Sequence, residues 1–274
     1  MDSATEPAAT KAKRSLSLVA LGGIPLVQPG DDLAGIIVAA LAASGETLLD
    51  GDVLVLAQKI VSKAEDRYVT LADVTPAPRA VKLAAGVDKD PRLVELILSE
   101  STDVVRSRKG VLVVAHRLGL VLANAGIDAS NVEQGGEDGD EDDQRVLLLP
   151  KDPDASAAKL VGELHRATGC SVGIVINDSL GRAWRNGTVG AAIGAASIEA
   201  LCDLRGRFDL FGRPLQATQV GMADEVAAAA SLLMGQADEG RPVVLVRGLA
   251  DTAGTTEIDG ADALVRPPEQ DLFR

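Results

Sequence analysis

Short apolar runs alternate along this chain with stretches whose apolar residues recur three and four positions apart, and that alternation predicts an α/β protein. Residues 16–27 read as a core strand ending in a turn, because Gly22, Gly23 and Pro25 interrupt the apolar run. Asp31 and Asp32 cap a helix that reaches to about residue 43. Residues 52–57 predict a strand that opens into the polar sequence Gln58-Lys59-Ile60-Val61-Ser62-Lys63. Residues 91–101 carry Leu93, Leu96 and Ile97 on one helical face. Residues 111–115 and 118–123 read as neighbouring strands able to pair as a hairpin, and residues 145–149 as a strand stopped by Pro150. Asp152 and Pro153 start a helix to about residue 168, since Asp caps well and Pro is tolerated in a first turn. A strand at 172–176, a helix at 223–237 and a buried strand at 242–247 complete the pattern.

Two of these strands run into polar clusters. The strand at 118–123 leads to Asn124-Ala-Gly-Ile-Asp128-Ala-Ser-Asn131, and the strand at 172–176 to Asn177-Asp178-Ser179-Leu-Gly181-Arg182-Ala-Trp184-Arg185. Strand ends are where backbone is available and carboxylates can converge on a metal or an anionic ligand. Either cluster also reads as a turn, because Asn, Asp and Ser bond nearby backbone and Gly accepts positive φ. Trp184 tips the balance towards a site: the sole tryptophan sits between two arginines in a Gly-rich stretch that no helical or strand periodicity would bury. Asp128 and Asp178, with the Ser179 hydroxyl adjacent, are hard oxygen ligands of the kind magnesium or manganese prefers. Such an ion would bridge phosphate oxygens in phosphoryl transfer. Lys63, just past a strand, offers an ammonium as a point charge to a phosphate; its plainer reading is a solvated loop lysine. His116 and His165 are expected in packing or surface roles. No Gly-rich phosphate loop and no dinucleotide fingerprint follows a strand, so spacing alone does not establish nucleotide use.

Composition narrows the partners. The 274 residues can build one large domain or two modest ones. Hydrophobic residues reach 46% but aromatics only 2%, so the core must come from Ala, Val, Leu and Ile. A net charge of -13 argues against nucleic acid and anionic membranes, and an anionic ligand would need local cations such as Lys59, Lys63 or the arginines beside Trp184. Cys170 and Cys202 are too few for a disulfide framework, which suits a reducing cytoplasm. Lys11, Lys13 and Arg14 before an apolar run resemble a secretory leader, but the interrupting Gly and Pro residues and the lack of a cleavage site argue for a disordered tail over residues 1–14. No apolar stretch reaches the length of a membrane span. The acidic run at 137–143 lacks the alternating ligands of a calcium loop and is expected to be a solvated, mobile loop within about residues 135–144.

Several ordered motifs together make the chain similar to the coenzyme F420-0:γ-glutamyl ligases. These are Gly23-Ile-Pro-Leu-Val-Gln-Pro-Gly-Asp-Asp32, Gly51-Asp-Val-Leu-Val-Leu-Ala-Gln-Lys-Ile-Val-Ser-Lys63, the two polar clusters, and Met234-Gly-Gln236. The resemblance covers nearly everything outside the tail and the acidic run. It implies a mixed-sheet, two-subdomain α/β ligase fold over residues 15–274 that works as a homodimer in the cytoplasm, with F420-0, L-glutamate and GTP as substrates. It also implies Mg2+ or Mn2+, with room for a monovalent cation. By position, Ile24, Pro25, Leu26, Val27, Gln58, Lys63, Asn131, Met234, Gly235 and Gln236 would contact GTP, the last three within a segment at 232–239. Asp128, Asp178 and Ser179 would hold the metal; Ser179 replaces the threonine expected in many relatives and keeps its hydroxyl. Lys63, Asp128 and Asp178 would be the catalytic set. A flavin-reductase-like domain that follows the ligase in some relatives is not expected after the strand at 242–247.

The implied chemistry is carboxylate activation by phosphoryl transfer, attack of the glutamate amine on the acyl phosphate, and release of GDP and phosphate, with further γ-linked glutamates able to follow. Arg182 and Arg185 are candidates for gripping carboxylates or the precursor's phosphodiester, with Trp184 as a stacking face; surface ion pairing is the competing role. Two other readings stay open on the residues alone. One is a metal-dependent hydrolase of phosphate esters or nucleotides, and the other a GTP-binding module without catalysis.

Overall fold

The run Val53–Ala57 is almost continuously apolar, the pattern of a strand covered on both faces. The computed structural model describes residues 14–132, 144–249 and 260–271. In it this run is β2, and its side chains divide by parity: Leu54 and Leu56 enter one core, Val53 and Val55 another. β2 is the middle of a five-stranded mixed sheet. Its order is β1 (Ser17–Ala20), β12 (Val243–Arg247), β2, β8 (Gly173–Arg182) and β9 (Arg185–Ala196). Only β2 and β8 run parallel, with Val53 opposite Gly173 and Ala57 opposite Asn177; the other neighbours are antiparallel. A parallel pair delivers two C-terminal strand ends to the same edge, which is the condition for a site there.

Helices cover both faces. α1 (Leu33–Ala43) and α5 (Pro153–Thr168) pack on the Leu54/Leu56 face, with Ile37, Leu160 and Leu164 buried. α6 (Met222–Met234) covers the Val53/Val55 face through Ala223, Ala227 and Ala230. The Asp32 carboxylate accepts the Gly35 N–H at 3.1 Å and that of Asp152 accepts the Ala155 N–H at 3.0 Å, so both expected caps are made. Two glycines let the helices approach β9. A Cβ at Gly190 would lie 2.5 Å from the Ala227 carbonyl oxygen of α6, and one at Gly194 would lie 2.6 Å from the Pro153 backbone of α5.

A second sheet, β4 (Ser101–Arg108), β5 (Val111–His116) and β6 (Val121–Ala123), is antiparallel. α3 (Pro78–Val87) and α4 (Pro91–Ser99) close over it around Ala80, Val94, Ile97, Leu112 and Val114. Glu100 staples this part to its surroundings, 3.1 Å from Arg67 and 3.0 Å from Arg117. Burial opposes ionisation of Glu100, but the hydrogen bond from His116 and the charges of Arg117 and Arg67 prevail and hold its carboxyl at about 2. His116 is buried, and its Nδ1 accepts the Leu118 N–H at 3.1 Å, so the Nε2 proton faces Glu100 at 3.5 Å. Two short ribbons complete the fold: β3 (Tyr68–Thr70) with β7 (Arg145–Leu147), and β10 (Leu201–Asp203) with β11 (Gln219–Gly221).

The expected α/β class, the hairpin of β5 and β6 and the long helices are present. Two of the plainer local readings fail. Residues 58–63 form no loop: they are the helix α2 (Gln58–Ala64), whose Ile60 and Val61 are buried, and Lys63 is a helical residue. Seven residues hold too few turns for a helical period to show in the sequence. The sequence Asn177-Asp178-Ser179-Leu-Gly181 forms no turn either. β8 continues through it to Arg182, and Ala183-Trp184 make the two-residue turn into β9. Towards its tip that arm is exposed and polar, so ladder hydrogen bonds, which leave no hydropathy signature, define it. Among the described residues no helix is long and apolar enough to cross a membrane. The acidic run at 137–143 and residues 1–13 of the expected tail lie outside the described residues.

Candidate active site

The shared edge of β2 and β8 opens into a cavity of about 620 Å³. Its wall contains Ile24, Pro25, Leu26 and Val27 from the loop after β1, Gln58 and Lys63 from α2, and Asn131. Asp178 and Ser179 enter from β8, and Met234, Gly235 and Gln236 from the end of α6. Residues widely separated in sequence thus meet because β2 ends beside Asn177, β8 carries Asp178 and Ser179 past that end, and α6 finishes over them.

Hydrogen bonds fix the wall. The Ser62 hydroxyl donates to Gln58 Oε1 at 2.9 Å, which turns Gln58 Nε2 onto Asp128 Oδ2 at 2.7 Å. Lys59 Nζ lies 3.2 Å from the same oxygen, so both donors hold one side of the Asp128 carboxylate. The Asp128 backbone is pinned to Leu147 by two hydrogen bonds of 2.9 and 2.8 Å. Lys63 Nζ donates to the Asn131 carbonyl at 2.8 Å, and Asn131 Nδ2 donates to the Ala237 carbonyl at 3.2 Å. Asn131 has φ 56°, a left-handed conformation that Asn tolerates. Ser179 Oγ donates to Gln236 Oε1 at 2.7 Å, and Gln236 Nε2 to Ser231 Oγ at 3.2 Å. α2, the loop at Asn131 and the segment after α6 are therefore latched to one another across the cavity.

The carboxylates are held under tension. Burial pushes Asp178 up to about 6, with the nearby Asp128 charge adding to the rise, while the Ser179 N–H and Lys59 pull the other way. Burial also raises Asp128, against Lys59 and Gln58. Two mutually repelling carboxylates beside a hydroxyl at a cavity edge fit a hard divalent cation, whose charge would relieve both. No group of three or more His, Cys, Asp or Glu gathers among the described residues. Two carboxylates and Ser179 Oγ would leave the remaining positions to water and ligand phosphate oxygens, which is magnesium's habit. Asp128 itself stands behind Gln58 and Lys59 rather than in the cavity wall.

Arg182, Trp184 and Arg185 are not brought into this cavity. They sit at the tip of the β8–β9 hairpin, where Trp184 is 88% exposed with φ 63° and Arg182 donates to the Asn186 carbonyl at 3.3 Å. His165 lies on α5, its Nδ1 3.1 Å from the Cys170 carbonyl. The wall also holds residues that the sequence does not point to, Tyr68, Val132, Gly240 and Arg241, and Asn177, also at the wall, has a buried side chain. The signal for Tyr68 was its being the sole tyrosine, five positions past Lys63. Lys59 was considered only as a local cation, and its ion pair with Asp128 emerges from the fold.

Comparison with known proteins matches the same stretches. A family model described as F420-0:Gamma-glutamyl ligase covers residues 23–248. The coenzyme F420:L-glutamate ligase of Methanothermobacter thermautotrophicus is 46% identical over 260 residues, spanning 94% of this chain and 99% of that protein. The ligase of the same name from Methanopyrus kandleri is 44% identical over 249 residues, 90% of this chain and 93% of its own. That of Methanocaldococcus jannaschii is 39% identical over 264 residues, 96% and 99% respectively.

Proposed function

The chain belongs to the F420-0:γ-glutamyl ligase family, and on that footing we propose that it joins L-glutamate to the carboxylate of coenzyme F420-0 with GTP as the phosphoryl donor. The observation that carries this reading is the convergence described above: the residues expected at GTP and at the metal, apart from Asp128, line one cavity, and Asp128 is hydrogen-bonded to its wall.

In the proposed reaction a carboxylate oxygen of F420-0 attacks the γ-phosphorus of GTP, the bond to the β-phosphate oxygen breaks, and GDP leaves. The glutamate amine, having lost a proton, attacks the acyl carbon. Phosphate departs with the oxygen that had been the carboxylate's, and an amide remains. Asp128, Asp178 and Ser179 would hold a magnesium or manganese ion, which when bound offsets charge on the phosphate oxygens during transfer. Lys63 sits at the wall to meet a phosphate as a point charge, and its bond to Asn131 keeps it there. Gln58 and Lys59 orient Asp128 through one oxygen and leave the other to its ligand. Ile24, Pro25, Leu26, Val27, Asn131, Met234, Gly235 and Gln236 are assigned to the nucleotide.

The proposal includes a ligase domain over residues 15–274 in two subdomains, cytoplasmic and working as a homodimer. Omitting one component at a time tests the activity. Sustained GDP formation should require F420-0, glutamate and a divalent cation together, with about one GDP per site at most when glutamate alone is left out, and chelator should abolish it. GDP release that ignores glutamate and F420-0 would mark a nucleotide hydrolase instead.

A further inference from the structure

The cavity wall holds one aromatic side chain among the described residues, Tyr68, in a chain with 2% aromatics. Tyr68 opens β3, opposite Leu147 of β7, and Leu147 is bridged in turn to Asp128. Its backbone thus lies two strand spacings, about 10 Å, from the backbone that carries the carboxylate. Arg145, opposite Thr70 and so diagonal to Tyr68 on the same ribbon, sets its guanidinium 4.2 Å from the centre of the Tyr68 ring. Tyr68 is part of the cavity wall and Arg145 is not, so the cation reaches the ring from a residue outside the wall. Both partners occupy ladder positions, which holds the guanidinium and the ring side by side before any ligand arrives.

We propose that Tyr68, backed by Arg145, is the stacking platform for the planar heteroaromatic ring of a substrate. The proposal rests on the ligase reading, which brings two such rings to the cavity, the guanine of GTP and the deazaflavin of F420-0. A flat, half-buried phenol pre-set by its strand presents a large apolar face at little entropic cost. The guanidinium behind it draws the ring's electron density and favours an offset stack with a nitrogen-rich heterocycle. The distance from Asp128 also suits the geometry: the charged end of the ligand sits at the carboxylates and Lys63, and its ring lies further along the same cavity.

Isothermal titration of wild type, Tyr68→Phe and Tyr68→Leu with GTP, with F420-0 and with tripolyphosphate, all in Mg2+, separates the outcomes. Tyr68→Phe should bind all three within about twofold of wild type. Tyr68→Leu should lose about tenfold or more for the ring-bearing ligand while tripolyphosphate is unchanged, the size expected for one base stacked on one aromatic. Loss on GTP identifies the base as the stacked ring, and loss on F420-0 the deazaflavin. Arg145→Met keeps the ring and the strand pairing and should weaken the same ligand about threefold, which covers the case in which Tyr68→Leu lowers the melting temperature. Wild-type affinity of Tyr68→Leu for both ligands, or a parallel loss of tripolyphosphate, overturns the platform. Wild type that binds neither GTP nor F420-0 instead defeats the ligase reading, and the platform with it.

Discussion

Asp178 is the residue on which the chemistry turns, because its carboxylate is buried beside another and, among the described residues, forms no ion pair of its own, whereas Asp128 has Lys59. Asp178→Asn and Asp128→Asn each remove one anionic oxygen ligand and are expected to lower turnover at least about a hundredfold with melting and circular dichroism close to wild type. Near-normal rates in both variants would reduce the two aspartates to structural roles. The raised Asp178 carboxyl also sets a pH dependence in metal-free protein. The folded state holds that proton more tightly than the unfolded chain, so the group's stabilising contribution is complete below its ordinary value of 3.8 and is lost as pH rises through about 6. In chelator, the melting temperature of Asp178→Asn should therefore overtake that of wild type increasingly between pH 4 and 7, and added Mn2+ should close the gap. A difference that stays flat across that range would contradict the assigned burial and repulsion.

At the scale of elements, the site depends on how closely α6 lies on β9, since the helix ends in Met234, Gly235 and Gln236 at the cavity. Gly190 makes that approach possible. Gly190→Ala puts a methyl 2.5 Å from the Ala227 carbonyl, a backbone atom that cannot turn aside, so the helix must shift. The expected result is a loss of about 1–3 kcal/mol in denaturant unfolding together with a raised KM for GTP; a variant as stable and as active as wild type would show that the contact is slack. Elements of this kind were unevenly legible. α1 and α5 announce themselves through Asp32 and Asp152 caps and a long apolar period, and β2 and β12 through continuous Val and Leu. α2 is too short to show a period, and the exposed arm of β8 and β9 is a ladder of Gly, Ala, Asn and Arg with no burial to write a pattern. The candidate site was legible in part for a related reason. Asp128, Asp178 and Lys63 stand in polar clusters at the ends of apolar runs, whereas Tyr68 and the Lys59–Asp128 pair depend on long-range pairing that only the fold reveals.

The whole molecule shows an imbalance between a nearly aliphatic interior and an aromatic exterior. Trp184, Phe208 and Phe211, three of the five aromatic residues, are exposed on hairpin arms together with Leu210, which is 90% accessible. Exposed large apolar side chains such as Phe208, Leu210 and Phe211, close together in sequence, are the kind that association surfaces use, and this supports the homodimer in the proposal. Light scattering should return about twice 28.2 kDa, and Trp184→Ser combined with Phe211→Ser should shift the population towards monomer. A wild-type monomer with full activity would overturn the assembly. The central claim concerns the reaction, and one measurement reaches it directly: mass spectrometry after incubating the protein with GTP, L-glutamate, Mn2+ and F420-0 whose carboxylate carries ¹⁸O. The account predicts F420-0 heavier by one or more glutamyl residues, with one labelled oxygen recovered in the phosphate released for the first of them. Consumption of GTP with F420-0 unchanged in mass and phosphate unlabelled would contradict it.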